Sequence, residues 1–157
     1  MSFRHWSMAA TVVAALALSA YGRAAHAADK VCALEISGND LMQYDKKELA
    51  VAADCTQIKL TLTHVGKLPA AAMGHNWVLV KSADLATVAN AGVSAGLANN
   101  YLAPNDPHVI ASTKVVGGGE STSVTFPASK LKKGESYMYL CTFPGHNALM
   151  KGTFKFG

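Results

Sequence analysis

The chain has 157 residues and a formal net charge of +4, and half of its residues are apolar while 15% are charged. That length suits one domain with a short processing segment, and the composition excludes an intrinsically disordered chain. Three cysteines are too few for a disulfide-dense mini-protein. The sequence contains no long-period repeat, phosphate-binding loop or dinucleotide fingerprint, which excludes solenoids and the common nucleotide-binding folds.

Residues 1–27 have the pattern of a secretory signal. Arg4 lies in a short basic start, and Met8–Leu18 is an uncharged stretch that is too short to span a bilayer. Ala25–Ala27 supplies the small residues of a cleavage site, so we predict cleavage after Ala27. A membrane anchor is the alternative, and Arg23 argues against it because it interrupts the apolar stretch. Cleavage would leave residues 28–157 as one exported domain without a membrane anchor.

The charge of that domain argues against nucleic acid as a partner. The signal segment contains Arg4 and Arg23 and no acidic residue, so its removal lowers the formal net charge from +4 to +2. The remaining basic residues are scattered along the chain, whereas nucleic-acid-binding domains concentrate them in a patch.

Short apolar segments separated by Gly, Pro, Ser or Lys clusters predict β-strands. In Ile58–Thr63, apolar and polar residues alternate, which is typical of a half-buried strand. The other candidates, in chain order, are Val31–Ile36, Trp77–Val80, Val109–Ala111, Val124–Phe126, Tyr137–Cys141 and Thr153–Phe156.

One helix is predicted within Ser82–Ala95. Ser82 can cap its start, and a single face would present Leu85, Val88, Ala89 and Val93 to the sheet. About seven or eight strands with one inserted helix predict an all-β antiparallel sandwich, with the helix packed outside because the strands supply the core. Trp77 is predicted to lie in that core.

Two uncharged stretches concentrate the chemistry of the sequence. Tyr137–Met150 contains the spacing C-x4-H-x3-M, formed by Cys141, His146 and Met150, and Leu68–Val80 contains His75. A thiolate, an imidazole and a thioether on one short loop are ligand types that copper selects. His75 would complete a trigonal His2Cys plane with Met150 as a long axial ligand.

Simpler interpretations exist for each residue alone. A lone buried Cys is usually a small hydrophobe, a lone His is usually a hydrogen-bonded polar residue, and Met usually fills core space. Their joint pattern in an uncharged loop that contains Pro-Gly favours a metal site. Zinc competes for Cys and His, but it has no use for a thioether and its structural sites usually have four firm ligands.

Met73–Trp77 and Cys141–Met150 closely resemble the azurins, a family of bacterial blue-copper proteins. The resemblance covers essentially all of Ala28–Gly157, and the Cys-to-His spacing separates it from plastocyanins and pseudoazurins. It implies a cupredoxin-like, Greek-key sandwich of about eight strands that carries single electrons in the periplasm. It also implies one type 1 copper ion that cycles between Cu(I) and Cu(II), and no enzymatic activity. The implied partners are redox proteins that bind transiently, such as c-type cytochromes or periplasmic reductases. The protein itself is implied to be a monomer.

The resemblance also assigns roles to individual residues. It implies copper ligation by His75, Cys141 and His146, with Met150 and the Gly74 carbonyl oxygen as weak axial groups. Asn76 would tie the two ligand segments together, and the backbone N–H of Phe143 would bond the Cys141 sulfur. An uncharged electron-transfer patch would comprise Leu68, Met73, Phe143, Pro144 and Ala148.

Several other residues fit the pattern of the same family or depart from it. Cys32 and Cys55 fit its N-terminal disulfide, and two reduced thiols are the alternative. Ser112 stands where azurins commonly carry another histidine. Tyr139-Leu140 replaces a pair of aromatics before the ligand cysteine, which leaves the ligand set intact but can shift the redox potential. His64 is either a titrating group near the site or a hydrogen-bonded core histidine.

Three functions compete on the sequence alone. The first is a soluble one-electron carrier, and the second is a periplasmic copper-binding or copper-delivery protein without redox turnover. Delivery segments are rich in Met and His with loose spacing, whereas the candidate ligands here stand singly at fixed positions. The third is an enzyme with Cys141 as nucleophile, which is disfavoured because no acid or amide is placed to orient a histidine base.

Overall fold

The computed structural model of this protein describes Met1 and residues 29–157. Apart from Met1, the predicted signal segment 1–27 and its cleavage site after Ala27 lie outside the described residues. Within the described part, no helix is both long and apolar enough to cross a membrane.

The described residues form a sandwich of two sheets. One sheet has the strand order β2-β1-β4-β7 and the other has the order β3-β9-β8-β5-β6. The strands are β1 (Val31–Asn39), β2 (Gln43–Tyr44), β3 (Glu48–Val51), β4 (Gln57–His64), β5 (Val78–Lys81), β6 (Val109–Ser112), β7 (Ser121–Pro127), β8 (Tyr137–Leu140) and β9 (Lys151–Phe156). The predicted β-sandwich is therefore confirmed, and it includes the short strands β2 and β3, which the sequence analysis did not identify.

Strand pairing in the sandwich is mixed, although an antiparallel arrangement was expected. β1 pairs with β4 in parallel, and β3 pairs with β9 in parallel, while the other pairs are antiparallel. The chain leaves β1, contributes β3 to the second sheet and then returns to the first sheet as β4. Because that connection crosses between the sheets, β4 runs in the same direction as β1.

Alternating side chains of β4 build one wall of the core. Ile58, Leu60 and Leu62 are fully buried. On the opposite face, the hydroxyl groups of Thr61 and Thr63 form cross-strand hydrogen bonds with serine hydroxyls of β7. The predicted half-buried strand is therefore confirmed, with a one-residue extension at each end.

Aromatic side chains fill the space between the sheets. Trp77 is fully buried, as predicted, and its ring lies 6.0 Å from that of Tyr139 and 6.2 Å from that of Phe154. Residues of β5 are buried on both faces, since Leu79 contributes to this core while Val78 and Val80 belong to a second cluster.

The second cluster places the predicted helix outside the sandwich. The helix is α2 (Leu85–Ala95), preceded by α1 (Ala70–Met73), a single turn that was not predicted. Val88 and Ala89 of α2 pack against β5 and β8, as expected. Val93 was wrongly predicted on the buried face, since it is 54% exposed and Gly92 is buried instead. A Cβ atom at Gly92 would lie 2.3 Å from the Tyr101 carbonyl oxygen, so only glycine lets the loop after α2 approach this closely.

The start of α2 also differs from the prediction. Ser82–Asp84 forms a separate 3-10 turn, and neither it nor α2 has a side-chain cap. Asp84 instead lies 3.1 Å from the ring nitrogen Nδ1 of the surface residue His108.

A disulfide joins Cys32 of β1 to Cys55, which precedes β4, with a Cα–Cα distance of 5.8 Å. The strand register pairs Cys32 with Ile58 at one end of β1 and Gly38 with His64 at the other. The disulfide therefore lies at the end of the sandwich opposite to His64.

We expect the double variant Cys32→Ala/Cys55→Ala to have a lower melting temperature while the backbone around Cys141 is unchanged. The chain-entropy argument gives a loss of about 3 kcal/mol for a crosslink of this span. Thermal unfolding measures the stability, and amide NMR shifts report the backbone. Chemical reduction of the wild-type protein is the control and should give a similar decrease. An unchanged melting temperature, or loss of native shifts at Cys141 in the folded variant, would contradict this expectation.

Candidate metal centre

Three potential metal-ligating side chains converge at one end of the sandwich. His75 precedes β5, Cys141 follows β8, and His146 begins a 3-10 turn between β8 and β9. All three residues are buried, and one ligand atom from each lies within 4.8 Å of the others. The Cys141 sulfur is 3.7 Å from Nδ1 of His146. The structure therefore brings together the predicted trigonal set, His75, Cys141 and His146.

Backbone hydrogen bonds close the Cys141 loop (residues 141–150). The N–H of Cys141 donates to the Met150 carbonyl at 2.9 Å, and the N–H of Met150 donates to the His146 carbonyl at 2.7 Å. Gly145 adopts a φ of 82°, a left-handed conformation that glycine allows without strain. The Pro-Gly segment lets the chain fold back, so that Cys141 and Met150 lie side by side between β8 and β9.

The ring of His75 is oriented by the β1–β2 turn. Its Nε2–H donates to the Asn39 carbonyl at 2.9 Å, which leaves Nδ1 as the unprotonated nitrogen of the neutral ring. Nδ1 is buried and has no hydrogen-bond partner among the described residues. A buried acceptor without a partner is costly in a folded protein, so this lone pair fits a cation at the centre of the cluster.

Two further groups, the Gly74 carbonyl and the Met150 side chain, lie close to the cluster. The Gly74 carbonyl oxygen lies 3.9 Å from the Cys141 sulfur. The Met150 side chain is fully buried. A Cβ atom at Gly38 would lie 2.7 Å from the His75 ring and 3.1 Å from the Met150 methyl carbon, so glycine at this position leaves room for both side chains.

Burial keeps the two histidines of the cluster in the neutral form that a cation requires, whereas it keeps Cys141 a protonated thiol until a cation binds. Desolvation raises the pKa of the Cys141 thiol to about 11, against the lowering effect of the backbone N–H groups of Asn76 and Phe143. Desolvation and the neighbouring histidines lower the pKa of His146 to about 4, and desolvation also lowers the pKa of His75. At neutral pH both rings are therefore neutral donors, and a bound cation would displace the thiol proton.

Asn76 joins the His75 segment (residues 68–77) to the Cys141 loop. Its side-chain oxygen accepts the N–H of Thr142 at 2.9 Å, and its amide group donates to the Thr142 hydroxyl at 2.7 Å. The same amide donates to the Asn100 carbonyl at 2.8 Å. The expected link between the two segments is thus present. Thr142 and Asn100 were not identified from the sequence, since a threonine beside Cys141 and a left-handed Asn100 carry no distinctive pattern.

Tyr44 is a second group that the sequence analysis missed. It is almost fully buried, and its hydroxyl donates a hydrogen bond to the Asn76 carbonyl. Its ring also contacts Tyr139 edge-on, with 5.7 Å between ring centroids. Tyr44 therefore holds the backbone of the residue that follows His75, while the Asn76 side chain holds the residue that follows Cys141.

Comparisons with known proteins agree with this geometry. Residues 30–157 match the family described as "Copper binding proteins, plastocyanin/azurin family". The chain belongs to this family.

Individual relatives are azurins. Azurin-1 of Alcaligenes xylosoxydans xylosoxydans is 56% identical over 124 residues, which cover 79% of this chain and 96% of that protein. The azurin of Achromobacter denitrificans is 53% identical over 148 residues, which cover 94% of this chain and 98% of that protein. A solved structure of the azurin Az-iso2 from Methylomonas sp. strain J has a TM-score of 0.78 and 44% identity, and the match covers 80% of this chain and 98% of that one.

Copper is therefore the cofactor of this family member, and the residues present fit a type 1 copper site. Copper binds to a soft thiolate and imidazole nitrogens in sites that have no fourth firm ligand. The unpartnered Nδ1 of His75 and the adjacent thiol of Cys141 are groups of these types.

His64 is a buried histidine beside the copper-site residues. Its Nε2 lies 3.0 Å from a carboxylate oxygen of Asp40, and its ring lies 4.2 Å from that of His75. The same carboxylate accepts the backbone N–H groups of Lys67 and Leu68. His64 is thus hydrogen-bonded at Nε2 and packed against His75, while its buried Nδ1 has no partner among the described residues.

The predicted apolar patch is distributed over two adjoining segments. Leu68 is 41% exposed, Pro144 and Ala148 are exposed, and Met73 and Phe143 are half-buried. The Phe143 ring stacks on His146, with 4.4 Å between ring centroids. These five residues belong to the two segments that meet at the copper-site residues, and they are called the docking patch after the role proposed for them below.

We expect Tyr44→Phe to disturb the copper site, whereas Tyr139→Phe should not. Both variants remove a phenol hydroxyl that donates to a backbone carbonyl, but the Tyr139 hydroxyl bonds to Lys46 and not to the copper-site segments. Each should lose about 1 kcal/mol of unfolding free energy, because a hydrogen bond to a backbone carbonyl is lost. Only Tyr44→Phe should also release Cu(I) faster to a chelator, by about tenfold.

Thermal unfolding gives the stability of each variant, and mixing with a chelator gives its rate of Cu(I) release. Equal release rates at equal loss of stability would show that Tyr44 supports the fold alone and does not position the copper-site residues.

Proposed function

We propose that the protein is a periplasmic type 1 blue-copper protein that carries single electrons between redox partners. The observation that carries this proposal is the buried cluster of one thiol and two imidazoles in which Nδ1 of His75 has no other partner. The family match and the azurin relatives support a blue-copper electron carrier at the coarser level.

In this proposal His75, Cys141 and His146 are the principal copper ligands. Met150 and the Gly74 carbonyl oxygen are weak axial groups. When bound at these residues, copper supplies a one-electron Cu(I)/Cu(II) couple.

The surroundings of the ligands suit rapid electron transfer. Cys141 and Met150 are fully buried, so water is kept away from the sulfur atoms. The Asn39 carbonyl orients His75, and Asn76 fixes Thr142 beside Cys141. Because these hydrogen bonds do not depend on the charge of the metal, they resist rearrangement of the ligands when an electron enters or leaves.

The docking patch is the proposed exit for the electron. His146 itself is only 2% exposed, because its ring is covered by the Phe143 ring and by the short turn of the Cys141 loop. An apolar patch lets two proteins meet without removing water from ions. A partner seated there would lie close to a copper ligand.

The location and partners are proposed with the same function. Residues 1–27 would be a secretory signal cleaved after Ala27, and residues 28–157 would be a single domain in the periplasm. The proposed partners are c-type cytochromes or periplasmic reductases, met transiently by a monomer. The formal net charge of the exported domain gives no reason to expect a nucleic acid partner.

Copper delivery without redox turnover is the alternative, and the burial of the site disfavours it. A donor that hands on its metal needs ligands that a receiving protein can reach, whereas Cys141 and His75 are fully buried here. Nucleophilic catalysis is disfavoured for a related reason. Reactive cysteines have lowered pKa values and some exposure, but the Cys141 thiol is buried and its pKa is raised to about 11.

Cys141→Ser is the direct test of the proposed function. The wild-type protein loaded with copper should show an intense thiolate-to-copper absorption, and the variant should lose it because a hydroxyl cannot supply that transition. Thr142→Ser is the matched control, since it keeps the hydroxyl that Asn76 binds. Visible spectra and copper content are measured together. An intense band that persists in Cys141→Ser would show that Cys141 is not a ligand.

Met73→Lys tests the proposed exit. Electron self-exchange would bring two docking patches face to face, so the variant would set two like charges opposite each other. We expect self-exchange to slow by at least about tenfold, equivalent to a barrier increase of about 1.4 kcal/mol. NMR line broadening in mixed Cu(I)/Cu(II) samples measures the rate.

The control for this variant is Val93→Lys, which places the same charge on the exposed face of α2. Its self-exchange rate should remain close to that of the wild type. Equal slowing in both variants would indicate a general charge effect, and an unchanged rate in Met73→Lys at neutral pH would mean that electrons leave by another surface.

A further inference from the structure

Exposed lysines without an acidic partner surround the copper end of the sandwich. Four lysines there form no salt bridge within the described residues, and together they are called the lysine rim: Lys47, Lys67, Lys114 and Lys151.

Neighbouring residues and contacts place each of these lysines beside the docking patch or beside the Cys141 loop. Lys67 directly precedes Leu68, and the ammonium group of Lys47 donates to the Leu149 carbonyl at 3.0 Å. Lys151 follows Met150 at the start of β9. Lys114 precedes Val115, whose side chain lies against Gly74. The backbones of these exposed lysines therefore border both segments that form the docking patch, and the ammonium group of Lys47 lies at the Cys141 loop itself.

Carboxylates at the same end are already engaged with other groups. Asp40 bonds to His64 and to two backbone N–H groups, and Asp45 pairs with Lys46. Glu48 pairs with Lys155. One carboxylate oxygen of Glu120 accepts the backbone N–H of Gly117 at 2.8 Å. None of these carboxylates forms an ion pair with the lysine rim within the described residues, and Asp40 and Glu120 pair with no lysine at all. The four rim lysines therefore exceed these two carboxylates and leave an excess of positive charge around the uncharged patch.

We propose that the lysine rim selects redox partners whose own docking face carries acidic residues around an apolar centre. This inference rests on the proposed electron carriage and adds the chemistry of the partner. Opposite charges at the edge of an interface accelerate and orient the encounter, while the apolar centre makes the close contact. Because the lysines are exposed, their attraction is screened by salt, and partner binding should weaken as ionic strength rises.

Two charge-reversed variants test the rim. Lys67→Glu/Lys114→Glu changes two rim lysines, and Lys132→Glu/Lys133→Glu makes the same net change in the loop before β8, at the opposite end of that strand from Cys141. Oxidation of the Cu(I) protein is measured by stopped flow at low and high ionic strength. The oxidants are anionic hexacyanoferrate(III) and cationic tris(phenanthroline)cobalt(III).

We expect the rim variant to react about tenfold more slowly than the wild type with the anionic oxidant at low ionic strength, and faster with the cationic one. The control variant should stay within about twofold of the wild type. Both differences should shrink at high ionic strength. The visible spectra of both variants should match the wild type, because no ligand is changed.

An acidic polypeptide extends the test to a macromolecule. Poly-L-glutamate titrated into the wild-type Cu(I) protein should shift the amide NMR signals of Leu68 and Ala148, and the rim variant should show no such shifts. Equal responses of the two double variants, or binding of poly-L-glutamate at residues 132 and 133 instead, would overturn the proposal. A wild-type protein that is not blue and transfers no electron to either oxidant would instead contradict the proposed function.

Discussion

The copper site depends on the hydrogen bonds that the side-chain amide of Asn76 forms. His75 and Cys141 are separated along the chain by about half of the β-sandwich domain, and they precede and follow different strands. Asn76 is fully buried, and its amide exchanges two hydrogen bonds with Thr142. Removing one partner would leave several buried polar groups without a bond, which costs more than the bonds themselves contribute. The distance between the two copper-site segments is therefore set by the fold rather than by the metal.

The packing of β5 and β8 explains why the amide stays in place. Residues of both strands are buried on two faces, because aromatic rings fill the core on one side and α2 covers the other. Trp77 directly follows Asn76 and is held among the aromatic rings of Tyr139 and Phe154. Interiors packed in this way deform little, so the backbone that carries Asn76 starts from a rigid position. The loop after α2 adds the Asn100 carbonyl to the same network.

Much of the site could be predicted because its residues are close in sequence. Cys141, His146 and Met150 lie on one short uncharged loop with a Pro-Gly turn, and the type of each side chain already indicates copper. His75 required an additional argument, since a separate uncharged stretch had to supply the missing nitrogen. Tyr44 could not be found in this way, because its contact with Asn76 exists only after two sheets have packed together.

The fold could be predicted at the level of strands and less well at the level of their pairing. Alternation identifies Ile58–Thr63 readily, but Glu48–Val51 is too short for its alternation to be informative. The parallel pairing of β1 with β4 depends on a crossing between sheets, which no local pattern encodes. The error at Val93 has a similar cause, since Gly92 is buried by a loop that approaches from outside the helix.

An electron carrier must enclose its metal and still bring it near a partner, and these needs oppose each other. In the proposed carrier, the buried sulfur groups of Cys141 and Met150 meet the first need. A thin cover, the Phe143 ring on His146 and the exposed Pro144, meets the second. Charge on that cover would raise the cost of every contact, because ions must lose water when two surfaces meet. At the edge, lysines keep their water and still attract an acidic partner from a distance. Attraction at the edge raises the rate of encounter more than the strength of the complex, so the partner can leave once the electron has passed.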